Sequence, residues 1–590
     1  MSEKPDYKST VFLPVTDFPM KAGLPQKEPL ILAKWQADDS YAQLRAARAG
    51  REKFILHDGP PYANGDMHIG HALNHILKDM VVRTQSLLGK DAPYVPGWDC
   101  HGLPIEWKVE EQYRKKKLDK DEVPLPEFRA ECRAYAQHWV DTQREQLKRL
   151  GIGARWDKPY LTMNFSAEGT IVSELMKFAE SGQLYRGAKP VMWSPVEKTA
   201  LAEAEIEYED IVSTQIDVAF EIVESPIPEL VGAFAVIWTT TPWTIPVNQA
   251  LAYGPEVDYV LVTPASGSAA GRKVLIASDL LAGFLHRTGA LAADSDGPDL
   301  TIHFVPGVTL AGTIARHPMH QLGGFYAKPR PFLPGDFVTT DTGTGLVHMA
   351  PDHGEDDFAL CKAHGIEPVF AVEGDGKYRA DWGWLGGQGS VINAKFNAPD
   401  GPICSDLRDS GGLLAATADY KHSYPHSWRS KAKVIYRCTP QWFIAMDRAL
   451  PDTHVESFAE KRWDEEGGAL GQGPTLRQLA VRAIADTRFV PEKGRNRLSA
   501  MVADRPDWVI SRQRAWGVPI ALFVDRKSGQ PLVDEAVNAR IVAAIKAEGV
   551  DAWSDERAQD YLGDGRDAAD YERVTDILDV WFDSGSMPSA

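Results

Sequence analysis

Three histidines follow a loop rich in glycine and proline, and their spacing predicts one helix face. His68, His71 and His75 lie at positions i, i+3 and i+7, which share a side of an α-helix. The N-terminus of a helix offers free N–H groups and a partial positive charge, so it favours phosphates. Imidazole donors there would stabilise a phosphoryl group in transfer, and Gly70, which lacks a side chain, would let a planar base approach.

Two other interpretations of the histidines remain open. His71 and His75 have the spacing of metal ligands on a helix, but the glutamate of the H-E-x-x-H pattern is missing and no carboxylate nearby completes the set. The three rings would equally suit a solvated helix face that does no chemistry.

The elements predicted around the histidines are those that open α/β nucleotide-binding domains. Residues 54–56 predict a short buried strand, and residues 57–65 predict a rigid loop. The next helix has an apolar face opposite the histidines, formed by Ile69, Ala72, Leu73, Ile76, Leu77 and Met80. Helices are also predicted near residues 31–48 and within the charged stretch 105–150.

From about residue 212 to residue 400 the sequence predicts strands instead. Gly and Pro are dense there, and long helical periods are few. The clearest strands are predicted at residues 214–222, 233–238, 259–262 and 273–276. A mixed pattern returns after Tyr424, which indicates a β-rich domain inserted into an α/β domain.

Two stretches of the β-rich part carry further candidate site residues. Thr239, Thr240 and Thr241 end a predicted strand, and they reach one pocket only if the backbone bends, since successive strand residues face opposite sides. The second stretch carries His348, Asp352, His353, Glu355, Asp356 and Asp357. These residue types suit a metal site or an acid/base hydrolase. The alternative is a loop whose polar side chains have no chemical function.

A further candidate is the carboxylate of Asp99. It lies in a loop, residues 96–106, that Gly, Pro and aromatic residues constrain. A carboxylate held so rigidly would suit a cation, and a structural cap of the loop is the alternative.

Composition and charge limit the class of protein. The 590 residues suggest about three or four domains, and 44% hydrophobic with 25% charged residues is typical of a globular protein. These values exclude a disordered tail protein, a collagen-like repeat and a small disulfide scaffold. The formal net charge of −18 disfavours a general nucleic-acid coat but permits a local basic groove.

The cysteines and the apolar runs predict a location. The thiols are Cys100, Cys132, Cys361, Cys404 and Cys438. No C-x-x-C pair occurs, so we expect small buried side chains in a reducing cytosol. Neither an apolar signal sequence nor a run of about 20 apolar residues occurs, so a soluble cytoplasmic protein without a membrane segment is expected.

Residues 59–79, GPPYANGDMHIGHALNHILKD, resemble the first ATP-binding motif of class I aminoacyl-tRNA synthetases, in the wording of the isoleucine-specific members. Valine-specific members usually carry Asn-Val-Thr-Gly where this chain has Tyr-Ala-Asn-Gly. Further stretches that match the family are residues 96–106, 193–205, 237–244, 343–357, 507–519 and 579–585. The resemblance therefore covers nearly all of the chain.

The resemblance implies an α/β fold: a doubly wound Rossmann-type nucleotide-binding domain split by an inserted β-rich editing domain. The implied parts are an N-terminal extension (1–52), the first half of the catalytic domain (53–200), the editing domain (201–405) and the return to the catalytic domain (406–590). The implied substrates are ATP with Mg²⁺, isoleucine and an isoleucine-accepting tRNA. The implied activity includes hydrolytic editing of valyl-tRNA, by a monomer without a membrane segment.

The resemblance also implies roles for individual residues. Catalysis falls to His68 and His71, and ATP binding to Gly65, His68, Gly70 and His71. Asp99 would take the α-ammonium of the amino acid, and Trp581 would pack on its side chain opposite Pro60, a core tryptophan being the alternative. Editing falls to Thr239, Thr240, Thr241, His348 and Asp357, without a metal. Independently of the resemblance, the residue type of Arg512 and Arg514 suits a contact with phosphates or the tRNA backbone, and an exposed position on a solvated face is the alternative.

Editing has an energetic reason. One methylene is worth only about 1–3 kcal/mol in a hydrophobic pocket, a magnitude already established for isoleucine enzymes against valine. A smaller pocket that hydrolyses valyl esters would raise the discrimination, with hydroxyl and backbone donors stabilising the oxyanion.

The second ATP motif of the family, KMSKS, does not occur in the 590 residues. In the family it follows the WFDSG stretch, so we expect the chain to be an N-terminal part of a longer enzyme, deficient in adenylation, with zinc only in the absent C-terminal part. The alternatives are a valine- or leucine-specific synthetase, an editing-only deacylase and a binding protein without activity.

Overall fold

The computed structural model describes residues 7–12, 16–17, 22–291, 301–451 and 473–589. Within them the fold is mixed α/β and contains one large β-rich sheet, which confirms the predicted fold class. Much of the N-terminal segment considered for a signal sequence, and the last residue, lie outside these ranges. No helix in the described ranges is long and apolar enough to cross a membrane.

The helices lie mainly before and after the large sheet. In chain order they are α1 (Leu24–Ala37), α2 (Ser40–Arg48), α3 (Ile69–Leu87), α4 (Leu103–Lys115), α5 (Leu125–Arg149), α6 (Phe165–Glu180), α7 (Leu281–Arg287), α8 (Glu355–Ala363), α9 (Pro402–Asp409), α10 (Leu476–Asp486), α11 (Gly494–Ala503), α12 (Glu535–Glu548), α13 (Ala558–Leu562) and α14 (Val580–Gly585). The helical segment predicted at 31–48 is two helices, and the stretch 105–150 is confirmed as α4 and α5.

The strands cluster between residues 184 and 444. In chain order they are β1 (Gly97–Trp98), β2 (Tyr160–Leu161), β3 (Leu184–Ser194), β4 (Thr199–Ala200), β5 (Ile206–Glu224), β6 (Phe234–Thr239), β7 (Ala250–Tyr253), β8 (Asp258–Val262), β9 (Val274–Ala277), β10 (His303–Pro306), β11 (Ile314–Arg316), β12 (Pro329–Pro334), β13 (Leu346–Met349), β14 (Leu413–Ser427), β15 (Ile435–Ile444), β16 (Trp508–Val509), β17 (Ser511–Arg512), β18 (Phe523–Asp525), β19 (Tyr571–Arg573) and β20 (Ile577–Leu578). The four predicted strands are confirmed as β5, β6, β8 and β9.

The large sheet has ten strands in the order β10-β8-β9-β6-β5-β11-β12-β7-β13, with β14 also paired to β5. Most neighbours are antiparallel, while β6–β9 and β7–β12 are parallel. The long antiparallel pairing of β5 with β14 runs from Ile206 opposite Ser427 to Val218 opposite Leu413. This two-stranded ribbon connects the sheet to the chain segments that carry the helices.

Outside the large sheet, β15 and β3 form the centre of a four-stranded sheet, β16-β15-β3-β4. Near the histidine loop the parallel pairing is short: β1 pairs with β2, and a single bridge joins Tyr62 to Asp99.

The predicted buried strand at 54–56 is wrong, since Ile55 is 74% exposed and no strand forms there in the described chain. The facing segment 91–96 contains prolines, which lack the N–H groups that a ladder requires.

Helix α3 is confirmed, but its predicted apolar face is not buried in the described structure. Ile69 is 86% exposed and Leu73 is 61% exposed, and Leu77 and Met80 are exposed as well. The buried side chains of α3 are His75, Val82 and Ser86. The periodicity correctly marks an amphipathic helix, but it does not determine which face a neighbouring element covers.

Local sequence signals explain where several helices begin and end. The Thr475 hydroxyl accepts from the Gln478 amide at 3.2 Å and caps α10. The Asp534 carboxylate accepts from the Val537 amide at 2.9 Å at the start of α12. Gly549, with a φ of 81°, follows the last turn of α12 and ends it.

The loop at residues 96–106 is held inside an apolar core. Trp98 Nε1 donates to the Gln143 side-chain oxygen at 2.9 Å, and Trp516 Nε1 donates to the Cys100 carbonyl at 2.7 Å. The tryptophans and Cys100 are fully buried, and all five cysteines of the chain are buried and unpaired, as predicted. These contacts fix the loop rigidly.

Candidate functional site

His68 caps the helix that it precedes. Its Nδ1 accepts from the amides of Gly70 at 3.1 Å and His71 at 3.4 Å, and His71 Nδ1 accepts from the His68 amide at 3.2 Å. The two rings stack with centroids 3.8 Å apart. Burial, and then the neighbouring His68, lower the pKa of His71. Because each Nδ1 accepts a hydrogen bond, each neutral ring carries its proton on Nε2, so two N–H donors lie at the start of α3.

Glycine occupies positions 65 and 70 for two different structural reasons. A Cβ on Gly70 would lie 2.9 Å from Cε1 of His68, so a larger residue would displace the cap. Gly65 has a φ of 90°, a conformation that favours glycine, and no described atom lies within 4 Å of its Cβ position. The structure thus gives Gly70 a packing role, and the approach of a planar base stays a prediction.

His75 does not share the position of the other two histidines. Its side chain is buried, and its Nδ1 has no hydrogen-bond partner in the part of the chain described. Burial lowers the pKa of His75 to about 4, with a further contribution from the Lys78 charge. The interpretation as a solvated histidine face is therefore wrong here, because this ring belongs to the packing of α3.

Asp99 lies beside the histidine loop with one carboxylate oxygen unpaired. Its carbonyl accepts from the Ala63 amide at 2.9 Å, and its amide donates to the Pro61 carbonyl at 3.0 Å. The side chain is buried, and Oδ1 has no hydrogen-bond partner among the described residues. Burial, and then the Asp583 charge, raise the pKa of Asp99 to about 8. A buried oxygen without a donor is costly unless a ligand supplies one, so the geometry suits a cation.

The residues predicted to contact an apolar side chain flank the same loop. A Cβ on Gly97 would lie 3.4 Å from Cβ of Pro60, and a Cβ on Gly102 would lie 3.3 Å from Cβ of Val580. Trp581 follows Val580 at the start of α14 and is 56% exposed. The alternative of a core tryptophan is therefore wrong, and contact of this indole with a ligand stays a prediction.

Arg512 and Arg514 bind carboxylates inside the protein. Their side chains are 8% and 6% exposed. The partners are Asp579 at 3.0 Å and Glu205 at 3.4 Å for Arg512, and Glu106 at 2.8 Å and Glu110 at 2.7 Å for Arg514. Both predictions for these arginines, a phosphate or tRNA contact and a solvated face, are wrong, because these buried guanidinium groups are already neutralised by buried carboxylates.

A buried histidine beside Asp99 gave no signal in the sequence. His101 Nδ1 lies 2.9 Å from Oδ2 of Asp583, across 482 residues of chain. On its other side, Nε2 of His101 lies 3.3 Å from Oε1 of Glu168. Contacts between residues so far apart have no periodicity or short motif that reveals them.

The three predicted threonines lie where β6 ends. Thr241 Oγ1 lies 3.1 Å from Thr239 Oγ1, which also accepts from the Thr241 amide at 3.1 Å. A 3-10 helix, Pro242–Val247, begins directly after them. The bend that the sequence required is therefore present: Thr240 and Thr241 line one cavity, while Thr239 is buried behind them.

Thr244 connects this bend to His348, and the sequence did not reveal it. Thr244 Oγ1 donates to the Thr241 carbonyl at 2.8 Å and lies 3.0 Å from His348 Nε2. Since the hydroxyl proton points to the carbonyl, the imidazole Nε2–H donates to the hydroxyl oxygen. Burial lowers the pKa of His348 to about 4, so the ring is neutral. Its Nδ1, which has no hydrogen-bond partner among the residues that the structure describes, bears the lone pair.

The candidate side chains at residues 352–357 do not form one cluster. Asp357 Oδ2 accepts from the Ala350 amide at 2.7 Å, and burial raises the pKa of Asp357 to about 7. The other members diverge: Asp352 accepts from the amides of Val369 and Phe370, His353 contacts the Tyr436 carbonyl, and Glu355 and Asp356 are exposed. In the described ranges no three His, Cys, Asp or Glu side chains are grouped so as to hold a metal ion.

The cavity at the threonines gathers residues from distant segments. Its lining includes Thr240, Thr241, Trp243, Asn397, Tyr424 and Lys433. His348 and Asp357 do not belong to this lining, although Thr244 joins His348 to Thr241. The structure therefore brings the threonines and His348 together and leaves Asp357 in the first turn of α8, outside the lining of this cavity.

Comparison with known proteins covers most of the chain. Residues 30–590 match the family described as tRNA synthetases class I (I, L, M and V). The chain is 63% identical over 582 residues to an isoleucine–tRNA ligase of Zymomonas mobilis subsp. mobilis, covering 98% of this chain and 59% of that protein. It is 50% identical over 596 residues to the isoleucine–tRNA ligase of Gluconobacter oxydans, covering 98% of this chain and 58% of that protein.

Among solved structures, the chain aligns with the LeuRS of Agrobacterium radiobacter K84, in a ternary complex with tRNA and LeuAMS, at 15% identity and a TM-score of 0.35, over 95% of this chain and 59% of that chain. The chain thus spans less than two thirds of the length of the curated relatives that it matches.

Proposed function

The chain belongs to the class I tRNA synthetases of the I, L, M and V group, and from this premise we propose that it forms the part of an isoleucine–tRNA ligase that binds isoleucine and ATP and edits valyl-tRNA. The choice of isoleucine is supported by relatives of that name at 63% and 50% identity. The proposed enzyme is a cytoplasmic monomer that transfers the activated amino acid to an isoleucine-accepting tRNA. The domain boundaries predicted from the sequence belong to the same proposal.

One observation carries the proposal: Oδ1 of Asp99 is buried and has no hydrogen-bond partner within the described parts of the chain. An α-ammonium group has three N–H donors and a positive charge, so it would satisfy this oxygen and favour the ionised carboxylate. The raised pKa of Asp99, about 8 in the free protein, would then fall on binding. Pro60 and the exposed indole of Trp581 flank the loop on the sides where an aliphatic side chain would lie.

The start of α3 would bind the phosphates of ATP, which enters with Mg²⁺. In activation, a carboxylate oxygen of isoleucine attacks the α-phosphorus and pyrophosphate leaves, so negative charge on the phosphoryl oxygens must be stabilised. His68 already occupies the amides of Gly70 and His71. The Nε2–H edges of His68 and His71 would therefore meet the phosphates, with the positive end of the α3 dipole behind them.

The inserted sheet supports a second proposed activity, hydrolysis of mischarged tRNA. Attack of water on the ester carbonyl gives an oxyanion, and hydroxyl donors at the cavity would stabilise it. Thr240 and Thr241 line that cavity, and neutral His348 orders the bend through Thr244. Asp357 would hold the ammonium of the valyl group, since its pKa of about 7 lets a bound cation ionise it.

Binding calorimetry tests the amino-acid site without requiring catalysis. We expect the 590-residue chain to bind isoleucine and its non-hydrolysable sulfamoyl-adenylate, and to bind the valine and leucine counterparts more weakly. Asp99→Asn should lose binding, whereas Asp564→Asn, at an exposed loop position, should not. Wild-type affinity in Asp99→Asn, or a preference for leucine, would reject the proposed substrate.

A further inference from the structure

His101 lies between two acidic side chains from distant parts of the chain. Its Nδ1 lies 2.9 Å from Oδ2 of Asp583 on α14, and its Nε2 lies 3.3 Å from Oε1 of Glu168 on α6. All three side chains are at most 1% exposed. The contact with Asp583 has hydrogen-bond geometry, while the contact with Glu168 is an ion-pair contact without that alignment.

A neutral imidazole does not suit this position. A ring with a proton on only one nitrogen would turn the lone pair of the other nitrogen toward a carboxylate oxygen, whereas a doubly protonated ring presents an N–H to both. Burial opposes this charge, but Asp583 and Glu168 outweigh it and raise the pKa of His101 to about 9. The other charged groups nearby are Asp99, Asp579 and Arg133, which lies 2.7 Å from Glu168.

The three side chains connect the two halves of the proposed amino-acid site. His101 follows Asp99 by two residues, and Asp583 follows Trp581 by two residues. The Glu168 side chain is itself fixed, because its Oε2 accepts from the Val550 amide at 2.9 Å. The loop that would bind the ammonium and the helix that would contact the side chain are thus tied to α6 at one point.

Resting on the function proposed above, we propose that His101 is a positively charged positioning residue for recognition of a branched aliphatic amino acid. Through Asp583 it holds α14, and therefore the Trp581 indole, at a set distance from the Asp99 carboxylate. The positive charge also partly neutralises Asp583, which leaves Asp99 as the carboxylate open to the ligand ammonium. His101 itself touches no substrate.

Measurements of the affinity and the selectivity of the amino-acid site test this role of His101. His101→Ala removes both contacts, and His101→Asn keeps a donor near the Nδ1 position without the charge. We expect isoleucyl-sulfamoyl-adenosine to bind about tenfold or more weakly to His101→Ala, because α14 and its Trp581 indole are no longer held in place beside Asp99. The loss of affinity should be smaller in His101→Asn. His138→Asn, at an exposed histidine of α5, is the control.

Selectivity separates positioning from loss of fold. We expect the ratio of affinities for the isoleucyl and valyl analogues to fall toward one in His101→Ala, because Trp581 is no longer held against Asp99. Partial unfolding would lower both affinities and leave the ratio unchanged, and an unchanged ratio would overturn the proposal. If His101→Ala does not fold, the ratio is measured in His101→Asn.

The charge state has its own measurement. Nitrogen-15 NMR of histidine-labelled protein near neutral pH should give one buried ring with both nitrogens protonated, absent from His101→Asn; a neutral His101 ring would overturn the proposal. The proposed function fails separately, if the wild-type chain binds no analogue or if Asp99→Asn binds as wild type.

Discussion

Thr244 Oγ1 lies 3.0 Å from Nε2 of His348, and the same hydroxyl donates to the Thr241 carbonyl at 2.8 Å. One threonine therefore joins a buried imidazole to the backbone bend that forms the edge of the cavity. The arrangement fixes the tautomer of His348, because the Thr244 oxygen must accept from Nε2–H. In the editing reaction proposed above, His348 would act through this bend and stay neutral.

Removing the Thr244 hydroxyl tests this arrangement. Thr244→Val keeps the shape but leaves the His348 Nε2–H without its acceptor, so the bend at Thr241 loses its support. We expect hydrolysis of valyl-tRNA to slow about tenfold or more, while Thr244→Ser keeps most of the rate. Thr309→Val, at an exposed threonine, should match the wild-type chain, and a wild-type rate in Thr244→Val would contradict the arrangement.

The raised pKa of Asp357, about 7, predicts a pH dependence. Only an ionised Asp357 would attract the ammonium of the valyl group, and an α-ammonium itself loses its proton at about pH 8. The part of kcat/KM that depends on Asp357 should therefore rise through about pH 7 and fall again above about pH 8. The measurement compares the chain with Asp357→Asn from about pH 6 to 8.5, after subtraction of spontaneous hydrolysis.

The neighbour in sequence provides the matched control for that profile. Asp356 is exposed, and its charge contributes to the raised pKa of Asp357. Asp356→Asn should therefore retain the rate and its rise with pH, with the rise displaced to a slightly lower pH. A rate that is insensitive to Asp357→Asn, or a difference between the two proteins that does not change with pH, would remove Asp357 from the editing site.

Replacing Asp99 with asparagine should increase the free energy of unfolding at high pH. The pKa in the folded protein, about 8 against an ordinary 3.8, is raised, so the carboxyl contributes stability at low pH that is lost as pH rises through 8. One pKa unit corresponds to about 1.4 kcal/mol, so above pH 8 we expect Asp99→Asn to be more stable by at least about 1 kcal/mol. Chemical denaturation at about pH 5 and pH 9 measures the change. If Asp99→Asn were less stable than the wild-type chain at the higher pH, the buried Asp99 carboxylate would not destabilise the fold.

We expect Arg512 to stabilise the fold. Arg512→Met leaves the buried carboxylate of Asp579 and the partly exposed carboxylate of Glu205 without their cation. Loss of one partner of a buried pair costs about 3–5 kcal/mol. Arg557→Met breaks an ion pair whose side chains are 34% and 58% exposed, so it should cost at most about 1 kcal/mol. Equal free energies of unfolding for the two variants would show that the buried network carries no stability.

Some features were predictable because they are local. The strands β5, β6, β8 and β9 follow from runs of β-branched and aromatic residues, and the bend at Thr241 follows from the proline after it. Helix α3 was also predictable, but not its orientation: Leu73 and Leu77 are exposed while His75 is buried. Periodicity reports an amphipathic helix and carries no information about the element that packs on it.

Other features depend on partners far away in the chain. The burial of Arg512 follows from Asp579 and Glu205, and the charge of His101 follows from Asp583 and Glu168. A guanidinium or imidazole has the same sequence context whether it lies in water or between carboxylates. Asp99 was recognisable because the Gly, Pro and aromatic residues around it signalled a rigid loop, although its unpaired oxygen was not.

The most direct measurement is a crystal structure of the chain bound to isoleucyl-sulfamoyl-adenosine. We predict the ligand ammonium at about 3 Å from Oδ1 of Asp99, the side chain between Pro60 and Trp581, and the sulfamoyl group at the Nε2 edges of His68 and His71. An ammonium paired with another group while Asp99 Oδ1 remains unpaired, or a ligand bound away from the start of α3, would contradict the proposed site.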